Sequence, residues 1–321
     1  MKKPLIKPYI CFYIKMCVKI VSMKEEYQIL LYYKYVDIEN PEKERDLHIK
    51  LCEDLNLKGR IIISKEGING TVEGTLENTE KYIDIMKKDS RFSDMSFKKS
   101  VGNGSAFPRL SVKARKEIVS LHLDEDIDPN RLTGKRIKAD TLKKWYEEGK
   151  EFYVVDMRND YEYKVGRFKD SLLLPVENFR EIPNHLDKIS HLKDKTVVPV
   201  CTGGVRCEKA SGLLVREGFK DVYQIEDGIV SYIEKYPASE FLGSLYVFDG
   251  RVLYTKDPED KHTIIGVCEL CGEKTENFSN CNNKSCNKKL LCCKDCIESG
   301  EKLFCKEECK NICLDKTQTG N

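Results

Sequence analysis

Residues 196–210, Thr-Val-Val-Pro-Val-Cys-Thr-Gly-Gly-Val-Arg-Cys-Glu-Lys-Ala, constrain this chain most. A short apolar run, Val197 to Val200, ends at Cys201. Thr202-Gly203-Gly204-Val205-Arg206 follows, and Cys207 to about Glu217 reads as a helix. A buried strand, a glycine loop and a helix N-terminus in succession make an anion-binding cup. Glycines let successive amides face one point. The helix adds free N–H groups and the positive end of its dipole. A thiol at the head of such a cup is expected to be partly thiolate at neutral pH, and Arg206 adds positive charge. A core cysteine at a strand end needs neither the paired glycines nor the arginine. Cys201 therefore reads as a nucleophile, or as the carrier of a negatively charged sulfur adduct.

Size and composition bound the rest. The 321 residues leave room for two or three domains. The net charge of +2 gives no global pull toward nucleic acid, so any such site is a local patch. Ten of the fifteen cysteines lie after residue 260, which marks a separate cysteine-built module. Cys201 and Cys207 in a glycine loop fit a reducing, cytoplasmic setting. Within residues 1–22, Pro8 to Ser22 is apolar and tyrosine-rich, with Lys7, Lys15 and Lys19. This stretch is too short and too charged for a membrane span and lacks a cleavage signal, so a disordered extension before Met23 is expected.

From 23 to 122 the order of expected elements is βαββαβ, a ferredoxin-like (acylphosphatase-like) α+β sandwich. Tyr27–Val36 is the first strand. Pro41 to about Asn56 is a helix with Leu47, Leu51 and Leu55 on one face, and Gly59–Ser64 is the second strand. Gly67–Gly70 reads as the turn before a strand starting at Thr71. Leu76–Lys88 is the second helix and Met95–Ser100 the last strand. Six cations, Lys98, Lys99, Arg109, Lys113, Arg115 and Lys116, stand against Glu117 alone, with Phe97 and Phe107 interleaved. Such a segment either contacts RNA phosphates and stacks on unpaired bases, or is a solvated strand–loop–strand.

From 123 to 245 strands alternate with helices, which predicts a parallel α/β sheet. Asp140 is the expected N-cap of a helix opening at Ala139. Asp156 and Cys201 both fall at strand C-termini, where ligands gather in such sheets. Asp156 and Arg158 read as an ion pair that shapes or lines the pocket. Cys207, six residues after Cys201, either packs or acts as a resolving thiol.

The tail, 246–321, carries Cys268, Cys271, Cys281, Cys286, Cys292, Cys293, Cys296, Cys305, Cys309 and Cys313. Paired short spacings read as thiolate metal sites, most simply zinc, with an iron–sulfur cluster as the rival. Ten thiols fill two four-cysteine sites with two left over, and His262 is a possible extra ligand. So small a module buries little core and needs a metal staple.

Cys201-Thr-Gly-Gly-Val-Arg206 resembles the active-site loop of rhodanese-like domains, in which this cysteine carries a persulfide. Asp156-Met-Arg158, Tyr161-Glu162, Gly166-Arg-Phe168, Leu174-Pro175 and Glu226-Asp-Gly228 extend that likeness along the whole central domain. The longer run through Ala210, together with Lys65–Thr71 and the tail cysteines, resembles the rhodanese-domain tRNA uridine(34) hydroxylases. The likeness covers about residues 25 to 310. It implies an oxidoreductase that binds tRNA and uses molecular oxygen to make 5-hydroxyuridine at the wobble position, with Cys201 at its centre. Two other readings stand beside it. One is a rhodanese-type sulfurtransferase passing sulfur from Cys201 to a small thiol or tRNA; the other is a non-enzymatic RNA-binding scaffold.

Overall fold

The computed structural model describes residues 26–256, 262–286, 288–300 and 302–318. The expected extension of residues 1–22 lies outside them. Strand β1 (Tyr27–Tyr35), α1 (Pro41–Asp54), β2 (Lys58–Ser64), β3 (Gly67–Thr75), α2 (Leu76–Lys88) and β4 (Phe97–Gly102) give the βαββαβ order, and β5 (Leu110–Ala114) follows. The sheet runs β4-β1-β3-β2-β5. The first four strands pair antiparallel, and β5 lies parallel to β2. Strand alternation divides the faces. Leu30, Tyr32, Ile61 and Ile63 enter a core shared with Tyr82, Ile83 and Met86 of α2. Leu31, Tyr33, Arg60 and Ile62 point the other way, into a cavity.

Two expectations for this part are corrected. Gly67–Gly70 is strand, and the turn is only Lys65-Glu66. A Cβ at Gly67 would collide with the Lys34 carbonyl, so this glycine serves close strand pairing. Helix α1 buries Pro41, Glu44, His48 and Cys52, while Leu47 is exposed and Leu51 and Leu55 only half-buried. Glu44 tolerates burial because Arg91 meets its carboxylate at 2.9 Å.

The second part contains β6 (Lys135–Ile137), α3 (Ala139–Glu147), β7 (Tyr153–Asp156), α4 (Asp160–Val165), β8 (Gly166–Phe168), β9 (Leu172–Leu173), a 3-10 segment (Phe179–Leu192), β10 (Thr196–Val200), α5 (Val205–Arg216), β11 (Asp221–Ile225) and α6 (Gly228–Lys235). Its sheet, β6-β11-β10-β7-β9, is parallel throughout. Val200 pairs with Asp156, so Cys201 leaves the sheet at its carboxyl edge. Helix α5 starts at Val205 rather than Cys207, because Gly204 at φ 98° turns the chain directly into it. Asp140 is not the N-cap of α3. Lys138 holds that position, and the Asp140 carboxylate instead meets Lys235 and the Tyr236 hydroxyl.

Short antiparallel pieces complete the chain: β12 (Phe241–Gly243) on β8, and β13 (Leu245–Tyr246) on β14 (Leu253–Tyr254). Strands β15 (Phe278–Asn280) and β16 (Lys289–Leu291), then α7 (Lys294–Glu298) and α8 (Glu307–Gln318), form the cysteine-rich segment. Among the described residues, no helix is long and apolar enough to cross a membrane.

The first sheet is tied to α5 by a buried ammonium. Lys209 is fully buried and meets Glu66 at 2.7 Å, Glu117 at 3.0 Å and Asp126 at 2.9 Å. Burial alone would lower its pKa, and the hydrogen bonds it donates to Glu66 and Asp126 reverse the shift to a net rise. Lys209→Met strands these carboxylates without their cation. A loss of about 3–5 kcal/mol is expected, read as a lower urea midpoint. The double variant with Glu66→Gln should lose less than the sum of the single losses.

Candidate active site

Cys201 sits immediately beyond β10 with its side chain buried. The Gly204 N–H donates to its Sγ at 3.2 Å. The start of α6 pins the loop from behind: Ile229 N–H donates to the Cys201 carbonyl at 2.9 Å and Val230 N–H to that of Thr202 at 3.0 Å. The loop glycines also allow close approach. A Cβ at Gly203 would stand 2.9 Å from Leu31 Cδ2, and one at Gly204 2.8 Å from the Tyr33 hydroxyl. The loop is therefore seated on the open face of the first sheet.

Arg206 lies on the first turn of α5 and grips Glu162 with two hydrogen bonds, at 2.7 and 2.8 Å. Its guanidinium also donates to Thr202 Oγ1 at 3.3 Å. The thiols of Cys201 and Cys207 interact, and their pKa values separate. Burial pushes both upward. At Cys201 the Cys207 thiol, the Arg206 charge and the Cys207 and Gly204 amides overcome burial and bring the pKa down to about 6. Cys207, facing that thiolate, is raised well above the ordinary range. The two shifts run in opposite directions and favour the anion on Cys201 and the neutral thiol on Cys207.

Cys201, Thr202, Gly203, Val205 and Arg206 line a cavity of about 580 Å³. Leu31, Tyr33, Arg60 and Asn69 of the first sheet line it as well, as do Val247, Phe248 and Arg251. Asp156, Arg158 and Cys207 are not in the lining. Asp156 and Arg158 form a fully buried ion pair at 2.7 Å, and Arg158 also donates to the Gly166 carbonyl. Of the basic segment, Lys98, Lys99 and Arg115 reach the cavity; Arg109, Lys113 and Lys116 lie exposed outside its lining. Lys98 pairs with Asp227 at 2.7 Å and lies over the Tyr33 ring, and Lys99 pairs with Glu80 at 2.7 Å. Phe97 and Phe107 are not interleaved surface aromatics. Phe97 packs on Tyr32 at 5.1 Å, and Phe107 is buried with Ile29. Phe97 lies on β4 and packs against the main core, while Phe107, in the loop between β4 and β5, is buried in a small cluster with Ile29 and Ala106.

Sequence reasoning missed Leu31, Tyr33, Arg60 and Phe248. They are far from Cys201 in the chain and belong to ordinary alternating strands or loops. The run Lys65–Thr71 was the available signal. Asn69 and Thr71 line the cavity, and Glu66 takes the Lys209 ammonium.

Two groups of four thiols occur in the tail: Cys268, Cys271, Cys293 and Cys296, then Cys281, Cys286, Cys305 and Cys309. In each, the sulfurs lie within 4.8 Å of one another. Cys271 and Cys293 are 3.6 Å apart, and Cys286 and Cys305 3.5 Å. A zinc tetrahedron with Zn–S of about 2.3 Å has edges of about 3.8 Å, so both groups fit a closed structural zinc site. The ligand pairs interleave along the chain, as in a cross-brace. Cys292, Cys313 and His262 fall outside both groups. Cys292 is buried beside Cys268, Cys313 approaches the Asn282 carbonyl at 3.9 Å, and His262 meets Glu276 at 2.9 Å. Cys292 and Cys293 are successive residues after a strand, so their side chains diverge.

A parallel α/β sheet ending in a cysteine–glycine loop, capped by the open face of a ferredoxin-like sheet, defines a rhodanese-type protein with an added N-terminal platform. Residues 27–118 match the UPF0176 acylphosphatase-like domain, 138–235 the rhodanese-like domain and 242–310 the rhodanase C-terminal family. The chain is 44% identical to a tRNA uridine(34) hydroxylase of Bacillus licheniformis over 296 residues, 90% of this chain and 89% of that one. It is 42% identical to the protein of the same name from Bacillus cytotoxicus, covering 90% of each. A crystal structure of a rhodanese-like domain protein from Staphylococcus aureus shares 30% identity with a TM-score of 0.27, covering 30% of this chain and 90% of that one. This chain belongs to the tRNA uridine(34) hydroxylase family.

Two measurements check the site. Peptide-resolved alkylation of Cys201 should rise with pH through a midpoint near the value of about 6 and fall away below it, since protonation removes the thiolate. Cys207→Ala removes a donor to that thiolate and should move the midpoint upward. Native mass spectrometry of protein purified without chelator should show two zinc ions per chain. Cys271→Ser and Cys305→Ser should each remove one of them, and absence of metal from the wild type would overturn the assignment.

Proposed function

We propose that this protein hydroxylates the wobble uridine of tRNA at C5, using molecular oxygen, with Cys201 as the catalytic residue. The observation that carries the reading is the cavity itself. A low-pKa thiol lies at the back of a cleft roofed by a β-sheet face and lined by Lys98, Lys99 and Arg115. Membership of the hydroxylase family over 90% of the chain supplies the substrate class. An uncomplicated sulfur carrier has no need of the platform. The uridine leaves the anticodon stack and enters the cavity, while the cations at its rim meet backbone phosphates. Arg109, Lys113 and Lys116, exposed beside that rim, extend the same phosphate track.

In this reading the Cys201 sulfur, as thiolate or persulfide, adds to C6 of uracil. The electron pair moves onto C5 and O4. C5 takes one oxygen atom from molecular oxygen, and the second leaves as water with two electrons and two protons from two external thiols, which leave as a disulfide. Loss of the C5 proton with departure of the sulfur restores the ring. The Gly204 amide and the Arg206 charge hold the sulfur anionic before attack and take it back afterward. Glu162 keeps Arg206 in place. The two cysteine groups hold the tail as closed zinc sites; a four-thiolate site leaves no open position for substrate.

The test is nucleoside mass spectrometry of total tRNA from cells lacking the protein, complemented with wild type or Cys201→Ser. Wild type alone should restore the uridine carrying one extra oxygen. Unchanged hydroxyuridine together with a lost thiolated nucleoside would move the assignment to sulfurtransferase.

A further inference from the structure

Phe248 is 44% exposed, yet it stands in the cavity wall and not on the open surface. Its ring leans edge-on against Tyr246 at 5.2 Å, and the Arg206 guanidinium lies 5.7 Å from its centre. Cys201 and Arg206 share one loop, so the ring neighbours the sulfur's own support. The connection that carries Phe248 is held at several points. Val247 N–H donates to the Val252 carbonyl at 2.8 Å, and Gly250 N–H to the Ala106 carbonyl at 2.7 Å. Arg251 binds Ser100 Oγ at 2.9 Å and Asp249 at 2.7 Å. A Cβ at Gly250 would stand 3.0 Å from the carbonyl oxygen of Ala106 in the β4–β5 loop, so the two backbones approach closely there. A flat apolar ring, 44% exposed, is thus held in the wall of a cavity that Arg60, Arg115 and Arg251 also line. Leaving such a ring in water forfeits hydrophobic free energy that a planar apolar ligand recovers.

We propose that Phe248 is the stacking face on which the unstacked uracil rests, with the C6 edge of the base turned toward Cys201. This rests on the hydroxylation reading of the same site. Every base has a π-face, so Phe248 sets affinity and placement, while base identity is read elsewhere in the cavity.

Trp145 is the only native tryptophan, so Phe248→Trp adds one local fluorophore and the wild type serves as its blank. An anticodon stem–loop with uridine at position 34 should quench the added signal; the same stem–loop abasic at 34 should not. Phe248→Leu keeps apolar bulk without a ring. It should weaken stem–loop binding by about tenfold and cut hydroxyuridine in complemented cells, and Phe248→Tyr should restore both. Equal quenching by the abasic stem–loop, or wild-type binding and hydroxylation by a folded Phe248→Leu, overturns the proposal. If wild type itself restores no hydroxyuridine, the hydroxylation reading fails instead, and the quenching difference still decides whether a base stacks on residue 248.

Discussion

The architecture depends on what two adjacent residues of α5 hold. Lys209 gathers Glu66, Glu117 and Asp126, while Glu208 takes the Tyr33 hydroxyl at 3.1 Å and the Arg136 guanidinium at 2.8 Å. A buried charge is tolerated only when partners surround it. Here those partners come from the first sheet, the connecting segment and the second sheet. The helix that builds the anion cup at its N-terminus is therefore the helix that holds the platform over it. Cup and roof are set by one rigid element.

That arrangement explains the chemistry available to Cys201. Gly203 and Gly204 let Leu31 and Tyr33 come close enough to exclude water from around the sulfur. Water exclusion alone would favour the neutral thiol. The Cys207 thiol, Arg206 and two amides reverse it, and in a low-dielectric site each of them acts more strongly than it would in water. The Asp156–Arg158 pair stays behind the sheet edge, where it braces the Gly166 turn and touches no cavity surface.

The cysteine-rich tail acts at a distance. Phe278 of β15 packs on Tyr246 at 5.5 Å, and Tyr246 supports Phe248. Lys164 of α4 reaches Glu269 at 3.2 Å, and Lys288 reaches Glu177 at 2.7 Å. Two interleaved groups of four thiols bring both ends of this small segment together, and its contacts with the second domain are these few side chains and not a large apolar core. Its contribution to the cavity is the support of Phe248 through Tyr246.

The sequence by itself determined the local elements and singled out the Cys201 loop as the candidate site. The strand Thr196–Val200, the glycine loop and the strand Asp221–Ile225 were legible because strand propensity and glycine punctuation act over a few residues. Cysteine spacing marked ten candidate metal ligands but not their interleaved grouping into two sets of four, since grouping is a property of chain path. Only the tertiary structure decided which face of β1 meets Cys201, that Phe97 and Phe107 serve the core, and that Phe248 enters the cavity. The first depends on docking two sheets through Lys209 and Glu208, and the packing of Phe97 and Phe107 on the path of the chain within the first domain. A strand's alternation yields two faces, and nothing within it says which face a distant loop will cover.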